Sequence, residues 1–95
     1  MTKETILNYL ANHKQEFRKK YNIERIGLFG SYARDEADSQ SDIDIFVEMK
    51  ADFFKQVRLK QQIEEELQKK VDIIRGHKHI KPFLLKMIQK DIEYV

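Results

Sequence analysis

The chain reads as an α/β (α+β) domain built on a small mixed β-sheet backed by helices on one face. Three observations predict this. Segments with apolar residues at helical spacing alternate with short β-branched runs, and those runs alternate in polarity residue by residue, so each has one apolar face. The resulting order is helix, strand, short helix, strand, long helix, strand, helix, which lets a sheet collect between helices.

Each element has its own justification. Ile6, Leu7, Leu10, Phe17 and Tyr21 recur at helical spacing after Thr2, a residue able to cap a helix, so the pattern predicts a helix over 3–20. Glu24 to Phe29 predicts a first strand running into Gly30 and Ser31, with Ser31 to Arg34 starting a brief helical turn. A polar loop follows to Ser41, and residues 41–48 form the second strand. Asp52 is placed to cap a long helix carrying Phe53, Phe54, Val57, Ile63 and Leu67. Val71 to Ile74 is too short and too β-branched for anything but a third strand, and Gly76 closes it. Pro82 suits the first turn of a last helix with Phe83, Leu84, Met87, Ile88 and Ile92 on one side.

Bulk properties bound the function. Ninety-five residues predict one domain, 1–95, with a modest core and little room to enclose a large substrate. The chain has no cysteine, which excludes disulfides and thiolate-bound zinc and fits a reducing compartment, with the cytoplasm as the expectation. No apolar run approaches the roughly eighteen residues of a membrane span. The net charge of +2 comes from 18 basic and 16 acidic residues spread along the chain. Arg18, Lys19 and Lys20, like Lys69 and Lys70, fall at predicted helix ends, where cations suit the helix dipole, so no nucleic-acid surface is expected.

The chemistry concentrates in Asp42 and Asp44. Aspartate is depleted in strands, yet these two alternate with Ile43, Ile45 and Val47 and must project from one face. At about 3.3 Å rise per residue their Cα atoms lie roughly 6.6 Å apart, close enough to converge on two cations about 3.5–4 Å from each other. Asp72 alternates the same way in the third strand, and neighbouring strands would make a three-carboxylate patch that cations neutralise. All-oxygen ligands suit Mg²⁺ or Mn²⁺ rather than zinc. Gly30 and Ser31, at a strand-to-helix transition, offer outward N–H groups and a hydroxyl to an anion, and a triphosphate beside a two-cation cluster is the natural occupant. Phe46 and Ile74 share the aspartates' face and need cover from another segment, a nucleobase or a partner. His77 and His79 lack a nearby third ligand and are expected to be exposed, and Tyr32 is expected to be buried beside the turn.

Gly30-Ser31-Tyr32-Ala33-Arg34, Ser41-Asp42-Ile43-Asp44 and Val71-Asp72-Ile73 together resemble the nucleotidyltransferase superfamily that includes DNA polymerase β. The short length is similar to its minimal nucleotidyltransferase branch, several members of which are antitoxins of HEPN-domain ribonuclease toxins. The resemblance implies a palm-type sheet. It also implies that Gly30 and Ser31 hold the β- and γ-phosphates of ATP, with Arg34 as a further phosphate contact. Asp42 and Asp44 would bind both metal ions, and Asp72 would ligate the ion beside the incoming hydroxyl or accept its proton. One departure is Asp35, where the family often has glycine.

Drug-, tRNA- and DNA-modifying members add a domain that grips the acceptor, and here the sequence finishes one helix after Asp72. The leading expectation is therefore transfer of AMP from ATP to a hydroxyl, tyrosine above all, of a separate HEPN toxin, in a hetero-oligomer with that partner. Two alternatives stand beside it: an antitoxin that neutralises by occlusion alone, and a small-molecule nucleotidyltransferase whose cleft is shared between subunits.

Overall fold

A computed structural model describes all residues, 1–95. Its elements are α1 (Lys3–Asn12), α2 (Lys14–Tyr21), β1 (Ile23–Phe29), β2 (Ile43–Met49), α3 (Phe53–Leu67), β3 (Val71–Arg75), α4 (Pro82–Asp91) and β4 (Glu93–Tyr94). The sheet order is β3-β2-β1-β4. β2 pairs parallel with β3, while β1 pairs antiparallel with both β2 and β4, so the sheet is mixed as expected.

The predicted alternation decides what packs where. Ile43, Ile45 and Val47 are fully buried together with Ile26 and Leu28 of β1, Ile6 and Leu10 of α1, Phe17 of α2, and Leu59 and Ile63 of α3. These residues form the core on the face that α1, α2 and α3 cover. Buried aliphatic side chains contribute about 1.5–3 kcal/mol each, so this single layer supplies most of the burial energy. Asp52 caps α3 as predicted, its carboxylate accepting from the Lys55 N–H at 3.0 Å.

The helix expected over 3–20 is broken at His13, whose backbone leaves helical geometry (φ −99°, ψ 2°). The His13 ring nitrogen donates to the Tyr9 carbonyl at 2.8 Å, a local bond that competes with helix continuation. Phe53 and Phe54 do not join the α3 core stripe but stand 75% and 77% exposed, because the buried positions of that helix are Leu59 and Ile63. In α4 only Ile88 is buried, and Phe83 and Met87 are exposed.

Two features lie beyond what periodicity indicated. α4 sits on the sheet face opposite α1–α3: Ile88 borders the same cleft as Asp44, and Leu85 and Gln89 lie around Phe46. β4 is only two residues long, too short to register as a pattern, yet it pairs through Gly27–Tyr94 and Leu28–Glu93. A Cβ on Gly27 would stand 2.9 Å from the Glu93 carbonyl oxygen, so the missing side chain there lets the tail close on β1.

Candidate functional site

The register of the sheet builds the site. Asp44 lies on β2 with Phe29 of β1 on one side and Asp72 of β3 directly on the other. Residues opposed on adjacent strands are about 4.8 Å apart in the hydrogen-bonding direction, so the two carboxylates are near neighbours on one face. Asp42 lies one residue before β2 begins and is exposed, at a groove shared with Lys69 and Lys70. No three His, Cys, Asp or Glu side chains converge tightly enough to enclose one ion.

The electrostatics still tie the three aspartates together. Asp44 is half-buried, and its carboxyl is pushed up to about 6, first by burial and then by the negative charges of Asp72 and Asp42. The Arg34 guanidinium opposes this rise, and the nearby Asp91 adds to it. A half-buried carboxylate crowded by like charge on an all-oxygen face has the chemistry that hard divalent cations satisfy. Asp44 and Asp72 are the paired oxygen donors that such an ion would take in the cleft, and Asp42 stands apart at the exposed groove beside Lys69 and Lys70.

Gly30, the residue after β1, has φ +79°, a left-handed conformation that glycine adopts without strain. A Cβ there would collide with the Asp44 carboxylate. The glycine thus has two reasons to be there: the turn, and the close approach of the acidic strand. The following residues 31–35 form the expected helical turn, with the Arg34 N–H donating to the Gly30 carbonyl at 3.1 Å and the Glu36 N–H to Ser31 at 2.9 Å. Asp35 takes φ 58°, the left-handed region, so it occupies the backbone conformation that a glycine at this position would favour. Aspartate tolerates that region, and the turn survives the departure noted in the sequence.

Gly30, Ser31, Arg34, Asp44 and Asp72 all border one cleft of about 720 Å³, a volume in the range of small-ligand sites. Its apolar lining comes from Phe53 and Val57 of α3, Ile73 and Ile74 of β3, and Leu84, Met87 and Ile88 of α4. Gln56, Lys60 and Asp91 also line it and were not singled out from sequence. Asp91 had a legible signal, since an acidic residue at a helix C-terminus opposes the dipole and calls for a partner. That partner is Arg34, whose guanidinium donates to the Asp91 carboxylate at 2.6 Å and to Glu36 at 3.1 Å.

The remaining residues fall as follows. Tyr32 is buried in the helical core. Phe46 is buried by its own chain, with Gly76 so close that a Cβ there would lie 2.5 Å from the ring, while Ile74 remains half-buried at the cleft. His77 and His79 are exposed, and the His79 N–H donates to the His77 ring at 3.1 Å.

Comparison with known proteins identifies the family and the fold. The sequence profile of the nucleotidyltransferase domain matches residues 10–95. The chain is 33% identical to the protein adenylyltransferase MntA of Thermococcus cleftensis over 97 residues, which cover 100% of this chain and 97% of that one. It is 38% identical over 98 residues to MJ1379 of Methanocaldococcus jannaschii, named as a candidate protein adenylyltransferase, covering 99% of this chain and 98% of the relative. A solved structure named as a candidate minimal nucleotidyltransferase superposes with a TM-score of 0.78 at 26% identity, over 98% of this chain and 95% of that one. The fold also matches, at a TM-score of 0.69 and 21% identity, a structure of a tri-AMPylated Shewanella oneidensis HEPN toxin in complex with its MNT antitoxin, over 98% of this chain and 71% of that one. A nucleotide-scale cleft, a glycine turn and an acidic strand pair, on a sequence matched by that profile almost from end to end, place this chain in the nucleotidyltransferase domain family.

Proposed function

We propose that this chain is a protein adenylyltransferase that moves AMP from ATP to a side-chain hydroxyl, tyrosine above all, of a HEPN ribonuclease toxin and thereby acts as its antitoxin. The observation that carries the reading is Asp44, held half-buried between the Gly30 turn and Asp72 at the polar end of the cleft. Relatives named for this activity and alike over their whole length support it.

In this reading Gly30 and Ser31 present N–H groups and a hydroxyl to the β- and γ-phosphates, and Arg34 adds a guanidinium. Asp42, Asp44 and Asp72 would hold two Mg²⁺ ions, with Mn²⁺ an acceptable replacement, and Asp72, on the edge strand, would ligate the ion that activates the incoming hydroxyl or accept its proton. Two divalent cations supply charge neutralisation and activation of the attacking oxygen when bound. The residues themselves contribute positioning: the sheet fixes Asp44 and Asp72 side by side, and the turn fixes the phosphate donors against them. The bond formed is from the acceptor oxygen to the α-phosphorus, the bond broken leads to the β-phosphate, pyrophosphate leaves, and the hydroxyl proton passes to a carboxylate of the site or to solvent.

The test is an incubation of the chain with ATP, Mg²⁺ and a HEPN toxin, followed by intact mass measurement of the toxin. Adducts of adenylyl mass are expected; none at any ratio would overturn the reading. A second reading, neutralisation by binding alone, draws on the exposed Phe53, Phe83 and Met87, which leave apolar surface free for a partner. Replacing Asp42 and Asp44 together by Asn separates the two, since occlusion predicts that toxin neutralisation survives and adenylylation predicts that it disappears.

A further inference from the structure

Asp91 occupies the place that the nucleotide reading gives to a phosphate. One of its carboxylate oxygens accepts from the Arg34 guanidinium at 2.6 Å, and the other lies 3.5 Å from the Gly30 N–H. Its side chain is only 11% exposed and borders the same cleft as Asp44 and Asp72. These two donors, a glycine-turn amide and an arginine, are the ones a triphosphate would use, and an amide hydrogen aimed at a carboxylate is not free for a phosphate oxygen. A carboxylate left in that seat would also face the incoming anion with like charge at short range in a partly desolvated cleft.

We infer that Asp91 is a built-in anion that holds the phosphate seat in the nucleotide-free protein and must leave it when a nucleoside triphosphate binds. The inference rests on the nucleotide reading of this cleft. In the free protein the carboxylate keeps Arg34 and the glycine turn ordered, satisfying donors that would otherwise face a cleft of one-sided polarity. On binding, Arg34 exchanges one charged acceptor for another, and Asp91 turns toward the cleft mouth. The Arg34 bond is the contact that binding must replace; the helix itself ends at Asp91, and the segment after it is extended and paired to β1 over only two residues.

The geometry also predicts a direction that a purely structural role would reverse. If Asp91 served only to hold Arg34 in place, removing its charge would loosen the guanidinium and weaken nucleotide binding. If it competes with phosphate, removing its charge strengthens binding.

The experiment is calorimetric titration of the full chain with AMP-PNP and Mg²⁺, comparing the natural protein with Asp91→Asn and Asp91→Glu. Asp91→Asn is expected to bind about three- to tenfold tighter, the scale of one charged contact, and Asp91→Glu, which keeps the charge, no tighter than the natural protein. Unchanged or weaker binding by Asp91→Asn, with the natural protein binding normally, overturns the inference and leaves the nucleotide reading standing. Absence of binding by all three overturns both. A measurement on the natural protein covers the case where the Asn variant fails to fold: the ¹³C resonance of the Asp91 carboxyl is expected to move toward its solvent-exposed position when AMP-PNP and Mg²⁺ are added. A resonance that stays in place overturns the inference.

Discussion

Asp44→Asn is expected to make this protein more stable while abolishing its transfer activity. The Asp44 carboxyl is pushed from its ordinary 3.8 up to about 6 by burial, by Asp72 and by Asp42. The folded chain therefore holds this proton more tightly than the unfolded chain does. Stability from that preference is fully present below about pH 4 and is lost as pH rises through about 6, so at neutral pH the ionised group costs the fold energy. At 1.36 kcal/mol per tenfold change in proton affinity the raise corresponds to about 3 kcal/mol. Asp44 is only half-buried, and solvent screening roughly halves that figure, to about 1.5 kcal/mol. For a domain this size the gain is roughly 6–12 °C in Tm. The assay is thermal unfolding of both proteins in EDTA across pH 3.5 to 8, where the stability difference should be near zero at the acid end and level off above pH 6 or so. A variant less stable than the natural protein at pH 7.5, or a difference independent of pH, would refute the electrostatic account of the site.

The other expectations concern turn, core and chemistry. Gly30→Ala forces a side chain into a left-handed backbone position and against the Asp44 carboxylate, so denaturant unfolding should show a loss of about 1–3 kcal/mol, together with lost nucleotide binding by calorimetry. Gly76→Ala drives a methyl group into the Phe46 ring and should cost about 1–3 kcal/mol in the same unfolding assay, without touching the aspartates. Leu59→Ala, at a fully buried position between α3 and the sheet, should cost about 2–5 kcal/mol by the same measurement. Asp72→Asn should leave the circular dichroism spectrum unchanged while lowering the rate of AMP transfer by about 10²-fold or more, measured by mass spectrometry over time.

Much of the site was legible because its chemistry opposes local preference. Aspartates at 42, 44 and 72 in β-branched runs, and a glycine where a strand meets a turn, are placements that strand propensity and packing do not favour, so their presence points to another demand. Period-two alternation by itself orients Asp44 and Asp72 to one face, and the β2–β3 register puts the two side by side. Asp91, Gln56 and Lys60 were not legible as cleft residues. Gln56 and Lys60 lie on a helix whose docking side follows from how the whole chain packs and read from sequence as ordinary solvated positions, while the place of Asp91 at a helix C-terminus signals a partner without saying which one or where.

The sequence by itself determined the strands β1 to β3, the helical stretches apart from the break at His13, the capping of α3, the apolar face of the sheet, and the identity of the acidic and glycine positions. All of these follow from periods and backbone preferences that act within a few residues. Tertiary structure alone decided that α4 crosses the opposite face, that Phe53, Phe83 and Met87 stay exposed, and that Phe46 is covered by its own chain. It alone decided, too, that Arg34 meets Asp91 across fifty-seven positions of the chain. The physical reason is range: hydrogen-bond ladders and side-chain alternation are set by near neighbours, whereas the partner of an amphipathic face or of a lone charge is chosen only when every element competes for the same surface.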